Sequence, residues 1–157
     1  MIRNIIFDLG NVIIEGTHSS IIMKLANNEE ERNFIKEKFL TSPEWNLMDL
    51  GKITNDEAII EIQKRNDIKL KELIEISLHK WYENIVVNED IVDVARKLKL
   101  KNYNIYVLSN MAKATYLHLK DIEFFKLCDG VVISAYENVK KPDEKIFKIL
   151  LDRYNLK

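Results

Sequence analysis

The pattern of apolar and polar positions contains three short apolar runs, at residues 4–7, 105–108 and 131–133. Their length and flanking residues predict buried strands rather than helices. Each run is followed at once by a small or polar residue: Asp8, Ser109 and Ser134. Elsewhere the apolar period lengthens to that of helices. Helices are predicted near 20–26, over 30–39 and 54–65, and from 69 to about 83, with Thr54 and Glu57 forming a capping-box signature. Helical spacing resumes over 89–100, through Val92, Val94, Ala95 and Leu98, and continues after Asn110 towards Phe125. A last helix is predicted from about Pro142 to Tyr154, with Pro142 in its first turn and Ile146, Phe147, Leu150, Leu151 and Tyr154 on its buried side.

Strands separated by helices predict an α/β fold with a parallel sheet. The stretch from 17 to 84 holds no convincing strand and is too long for one crossover helix. It is expected to be a helical insert, giving a core segment 1–16, an inserted unit 17–84 and a second core segment 85–157.

Composition narrows the class. The chain has 157 residues, enough for one core plus a small insert. Basic and acidic residues number 24 and 25 and interleave along the chain, for a net charge of −1, so there is no electrostatic footprint for nucleic acid. No apolar stretch reaches membrane-spanning length, and no membrane partner is expected. The single cysteine, Cys128, excludes an internal disulfide and suits a reducing cytoplasm, the expected location.

The candidate chemistry lies where the strands end. Asp8 follows the first, Ser109-Asn110 the second, and Lys141, before Pro142, lies in the loop after the third. Open α/β sheets bind ligands beyond the carboxyl ends of their strands, so a carboxylate, a hydroxyl and an ammonium are expected to converge. That set suits phosphoryl transfer: the carboxylate attacks phosphorus, and the donors and cation stabilise charge on the transferring group.

The strings Asp8-Leu9-Gly10-Asn11-Val12, Val107-Leu108-Ser109-Asn110 and Lys140-Lys141-Pro142-Asp143, the last followed by Ile146-Phe147, resemble in order the motifs of the haloacid dehalogenase superfamily. Its members are mostly Mg²⁺-dependent phosphatases, and the inserted helices, with Trp45 to Thr54, resemble their small α-helical cap. The resemblance implies a Rossmann-like three-layer core and a small phosphorylated metabolite as substrate. It makes Asp8 the nucleophile and an Mg²⁺ ligand, and the Gly10 carbonyl a second ligand. Ser109 and Lys141 would hold the phosphoryl group, assisted by Asn11 and Asn110.

Two departures qualify the match. Most phosphatases of the superfamily carry a second aspartate, an acid and base, two residues after the nucleophile; here that residue is Gly10. The Asp-Leu-Gly-Asn-Val variant resembles a branch that includes bacterial glucose-1-phosphate phosphatases, whose anomeric leaving group needs less protonation. In addition, no paired aspartates follow a fourth strand. The expectation is a truncated version of a protein of roughly 200 residues, with the first strand left as an open edge available for self-association.

Two other readings compete. A dehalogenase-type hydrolase expels halide without an acid, although the insert offers only Arg32 and Arg65 as cationic substrate-binding candidates of that kind. A catalytically impaired remnant would bind a partner through its open edge. His18, His79 and His118 lack metal-ligand spacing, and Trp45, Met48, Tyr116, Phe124, Phe125 and Cys128 are expected to serve packing.

Overall fold

Strand β4 (Asn104–Ser109) organises the sheet, because its residues from Ile105 to Ser109 are all buried. A strand covered on both faces needs helices above and below it. The structure, a computed structural model, describes residues 2–15 and 23–157. In it β4 lies between β1 (Asn4–Phe7) and β5 (Gly130–Ile133), parallel to both, in the order β1-β4-β5. The register pairs Phe7 with Val107, and Ser109 with Ile133, so the three strands finish close together.

Ile105, Val107 and Ile133 pack with Leu9 and Ile13, with Val92 and Ala95 of α5 (Glu89–Leu100), and with Leu119 and Phe124. Leu119 ends α6 (Lys113–Leu119), and Phe124 lies on α7 (Glu123–Lys126). The opposite side holds Tyr106, Leu108 and Val132 against Ile146 and Leu150 of α9 (Glu144–Tyr154). The result is the three-layer α/β arrangement expected from the sequence.

Helices α1 (Glu29–Phe34), α2 (Pro43–Asp49), α3 (Asn55–Lys64) and α4 (Lys71–Lys80) form a separate apolar cluster around Phe39, Met48, Ile62, Ile74 and Leu78. α1 continues as a π-helical turn, Ile35–Phe39. The Thr54 capping box is complete: its hydroxyl accepts from the Glu57 amide, and the Glu57 carboxylate accepts from the Thr54 amide. A two-residue antiparallel ribbon, β2 (Ile14–Glu15) with β3 (Val86–Val87), joins the segments on either side of the helical unit. α8 (Ser134–Glu137) directly follows β5.

Several expectations change. α2 and the ribbon were not anticipated. The helix expected over 110–125 is two pieces, α6 and α7. Pro142 precedes the last helix, in a cis peptide with Lys141, and Asp143 caps α9 by accepting from the Lys145 amide. Phe147 and Leu151 are 42% and 40% exposed, because the sheet contact of α9 is confined to its Ile146–Leu150 line. Val94 faces outward on α5 for the same reason. Of the helix expected near 20–26, only the 3₁₀ turn Met23–Leu25 falls within the described residues, and His18 lies outside them. No described helix is long and apolar enough to cross a membrane.

The two sheet edges differ. On β5 the Tyr154 hydroxyl donates to the Val131 carbonyl (3.2 Å) and accepts from its amide (2.9 Å), closing backbone groups that face away from β4. β1 pairs only with β4 among the described residues, and Ile6 is 45% exposed. Tyr154→Phe removes both edge hydrogen bonds and is expected to cost about 1–3 kcal/mol. Urea unfolding of the two proteins checks this; equal midpoints would refute it.

Candidate active site

Asp8 is placed by β1, whose apolar residues Ile5, Ile6 and Phe7 carry the chain to the carboxyl edge of the sheet. Beyond it the backbone turns sharply. The Leu9 carbonyl accepts from the amides of Val12, Ile13 and Ile14, and Asn11 takes a left-handed conformation (φ 57°). Asparagine tolerates that region better than most residues. One Asp8 carboxylate oxygen accepts from the Leu9 amide at 2.8 Å. The other lies 2.7 Å from the Lys141 ammonium.

Lys141 reaches Asp8 from the loop between α8 and α9, and its ammonium also donates to the Leu108 carbonyl at 3.0 Å. Asn110 fixes the backbone of the same residue. Its amide donates to the Lys141 carbonyl (3.0 Å) and its carbonyl accepts from the Lys141 amide (2.8 Å). The Asn110 side chain, expected on phosphate, is therefore engaged in shaping the lysine loop. Ser109 is buried at the end of β4. Gly10 and Asn11 are exposed beside Asp8. A Cβ added at Gly10 would meet nothing within 4 Å, so sterics do not require glycine there.

A cavity of about 290 Å³ lies between the strand ends and the helical unit. Gly10, Asn11, Ser109 and Asn110 line it from the sheet, and Trp45, Met48, Asp49 and Trp81 from the helices. Asp8 and Lys141 are not wall residues; Gly10 and Asn11, close to Asp8 in the chain, and Asn110, hydrogen-bonded to the Lys141 backbone, bring the cavity next to the pair. Trp45 and Met48 thus both pack in the helical cluster and face the cavity.

Asp49, which the sequence places only within the cap-like segment Trp45 to Thr54, lines this cavity. Burial raises its pKa from 3.8 to about 6, and Lys140 at 3.9 Å opposes the shift. Its backbone is tied to the sheet, since the Ser134 hydroxyl donates to the Asp49 carbonyl at 2.6 Å and accepts from the Met111 amide at 3.0 Å. Two residues on, Gly51 has φ +64°, and a Cβ there would fall 1.9 Å from the Ala135 carbonyl oxygen. Only glycine permits that approach of helical unit to sheet. The sequence signal that could have located α2 is Ser42-Pro43, a cap residue followed by proline at the first helical position.

The other titratable candidates stand apart from the strand ends. His79 pairs with Asp56 on the surface (3.3 Å), and His118 lies against Tyr82 with ring centroids 4.7 Å apart and the planes tilted by 42°. The Cys128 thiol donates to the Phe124 carbonyl, and burial pushes its pKa to about 12, far from a reactive thiolate. No group of three or more His, Cys, Asp or Glu able to hold a metal occurs among the described residues. The two ligands that the family resemblance implies, the Asp8 carboxylate and the Gly10 carbonyl, would make a hard-oxygen set. It fits an ion such as Mg²⁺ that keeps several waters and takes one or two carboxylates plus substrate oxygens.

The fold is a parallel α/β sheet with helices on both faces, and its candidate site lies at the carboxyl ends of the strands under a helical unit. The family model of the haloacid dehalogenase-like hydrolases matches residues 2–157, and the chain belongs to that family of hydrolases. No curated protein matches the chain. Among solved structures it is similar to a HAD family enzyme from Bacteroides thetaiotaomicron in complex with magnesium and inorganic phosphate. The identity is 20%, the TM-score 0.74, and the match covers 99% of this chain and 80% of that one. It is also similar to a predicted HAD-like family hydrolase from Porphyromonas gingivalis (20% identity, TM-score 0.66, 100% and 78% covered). A third similar structure is the L-2-haloacid dehalogenase from Xanthobacter autotrophicus (14% identity, TM-score 0.64, 100% and 66% covered). Likeness at these identities concerns the fold.

The raised pKa of Asp49 has a consequence for stability. The folded state binds the Asp49 proton more tightly than the unfolded chain, so stability is gained below pH 3.8 and lost as pH rises to about 6. Above that, the buried carboxylate costs up to about 3 kcal/mol. Asp49→Asn is therefore expected to be the more stable protein at pH 8 by about 1–3 kcal/mol, with the gap closing near pH 4. Urea unfolding at the two pH values checks it, and a constant gap would contradict the burial argument.

Proposed function

We propose that the protein is a Mg²⁺-dependent phosphatase that hydrolyses a small phosphorylated metabolite through an aspartyl-phosphate on Asp8. The observation that carries this reading is the Asp8–Lys141 contact at 2.7 Å, made at the strand ends next to a cavity of about 290 Å³. A carboxylate held by a local amide and a pinned ammonium is oriented before substrate arrives, and phosphoryl transfer depends chiefly on such positioning and charge stabilisation.

In this reading Asp8 attacks phosphorus, while Lys141 and the Ser109 hydroxyl hold the non-bridging oxygens. Asn110 keeps Lys141 in place through its backbone. The Asp8 carboxylate and the Gly10 carbonyl would hold Mg²⁺, whose positive charge would offset repulsion between Asp8 and a phosphate dianion. The helical unit limits water at the acyl-phosphate. Among substrates, sugar 1-phosphates suit a site whose residue 10 is glycine, because an anomeric oxygen leaves with less help from an acid.

The apolar part of the cavity, formed by Leu40, Trp45, Met48 and Trp81, favours a second reading. Asp8 would then attack carbon and displace halide, which needs no acid. Chloride release from 2-haloacids without metal would select this reading over the first.

With Mg²⁺ and p-nitrophenyl phosphate, Asp8→Asn is expected to lower turnover by at least ~10³-fold, and Lys141→Ala by ~10²-fold or more. Mass spectrometry of the quenched reaction should find the phosphoryl group on the peptide containing Asp8. Turnover that survives Asp8→Asn would end the proposal. The sugar-phosphate assignment predicts faster hydrolysis of sugar 1-phosphates than of the 6-phosphates, and equal rates would count against it.

A further inference from the structure

Gly10 brings no proton-transferring group to its position two residues after Asp8, although the space beside it is open. The opposite side of the cavity does bring one. Among the described residues that line it, Asp49 is the only carboxylic acid, and it belongs to the helical unit rather than to the sheet. We propose that Asp49 is the proton donor and acceptor of this site, serving from the helical unit where residue 10 cannot. The inference rests on the phosphatase reading above and adds a catalytic residue to it.

Three observations support the assignment. Asp49 and Gly10 line the same cavity, together with Ser109 and Asn110. The position of Asp49 relative to the strands is fixed, because Ser134 holds its carbonyl at 2.6 Å and Gly51 lies against Ala135. An acid carried by a helical unit needs such an anchor if it is to meet the leaving oxygen in a constant place. Burial also keeps the carboxyl protonated to about pH 6, against the opposing Lys140 ammonium 3.9 Å away, which brings a group that is ordinarily ionised near neutrality into working range.

The steps balance. An Asp8 oxygen bonds to phosphorus as the bond from phosphorus to the leaving oxygen breaks. The Asp49 carboxyl gives its proton to that oxygen, so an alcohol departs and Asp49 becomes a carboxylate. Water then attacks phosphorus and loses a proton to Asp49. The Asp8–phosphorus linkage breaks, inorganic phosphate leaves, and the Asp8 carboxylate and Asp49 carboxyl are both restored.

The test is a series of phosphate monoesters of rising leaving-group basicity: p-nitrophenyl, phenyl and alkyl. kcat/KM is measured for the wild type, Asp49→Asn and Asp49→Glu, with thermal melts confirming that each is folded. A general acid matters more for poorer leaving groups. Asp49→Asn should therefore lose about 10-fold or less on the p-nitrophenyl ester and ~10²–10⁴-fold on the alkyl ester. Asp49→Glu, which keeps an acid, should follow the wild-type trend more closely. A loss of equal size on every ester, or none, would overturn the assignment and leave the phosphatase reading intact. A wild type inactive on every ester would remove both. A structural role alone would lower all rates together.

Discussion

The Lys141 side chain ties the loop after α8 to the ends of β4 and β1. It starts in the loop that follows β5 and α8, donates to the Leu108 carbonyl of β4, and meets the Asp8 carboxylate at the end of β1. Without that span, Asp8 would be a strand-end carboxylate facing solvent. With it, a carboxylate and an ammonium share a fixed position at the rim of a cavity. Asn110 holds the lysine's backbone from the β4 side, so the contact does not depend on a long side chain alone. The cost of desolvating the pair is limited because Asp8 remains 46% exposed on its side chain.

The helical unit depends on a second set of contacts. The β2-β3 ribbon brings Ile14 opposite Val87 and so closes the unit where the chain leaves and rejoins the core. Ser134, buried at the start of α8, donates to the Asp49 carbonyl of α2 and accepts from the Met111 amide after β4. Gly51 gives α2 the close approach that this geometry needs. The unit also has its own apolar cluster, so its folding and its docking rest on separate interactions.

Much of the fold was legible. Asn4–Phe7 and Glu89–Leu100 match the predicted ranges, and the other two core strands differ by a residue or so at their ends. Those elements carry strong local signals: short apolar runs with polar stops, or long amphipathic spacing. The ribbon was invisible because two-residue strands show no alternation and their partners lie more than seventy positions apart. Phe147 and Leu151 were misplaced because helical spacing defines an apolar stripe without showing how wide a surface will cover it.

The same division runs through the candidate site. Asp8, Ser109 and Lys141 could be read from the sequence because each closely follows an apolar strand or its exit loop, and parallel strands place such residues on one edge. The sequence by itself thus determined the fold class, the family resemblance and which polar groups stand at the strand ends. Only the tertiary structure decided that Lys141 reaches Asp8, that Asn110 is engaged with the lysine backbone, and that Asp49 enters the cavity from a different unit. Those facts depend on docking between elements that are distant in sequence, and on a burial that alters the proton affinity of Asp49. Local pattern encodes neither.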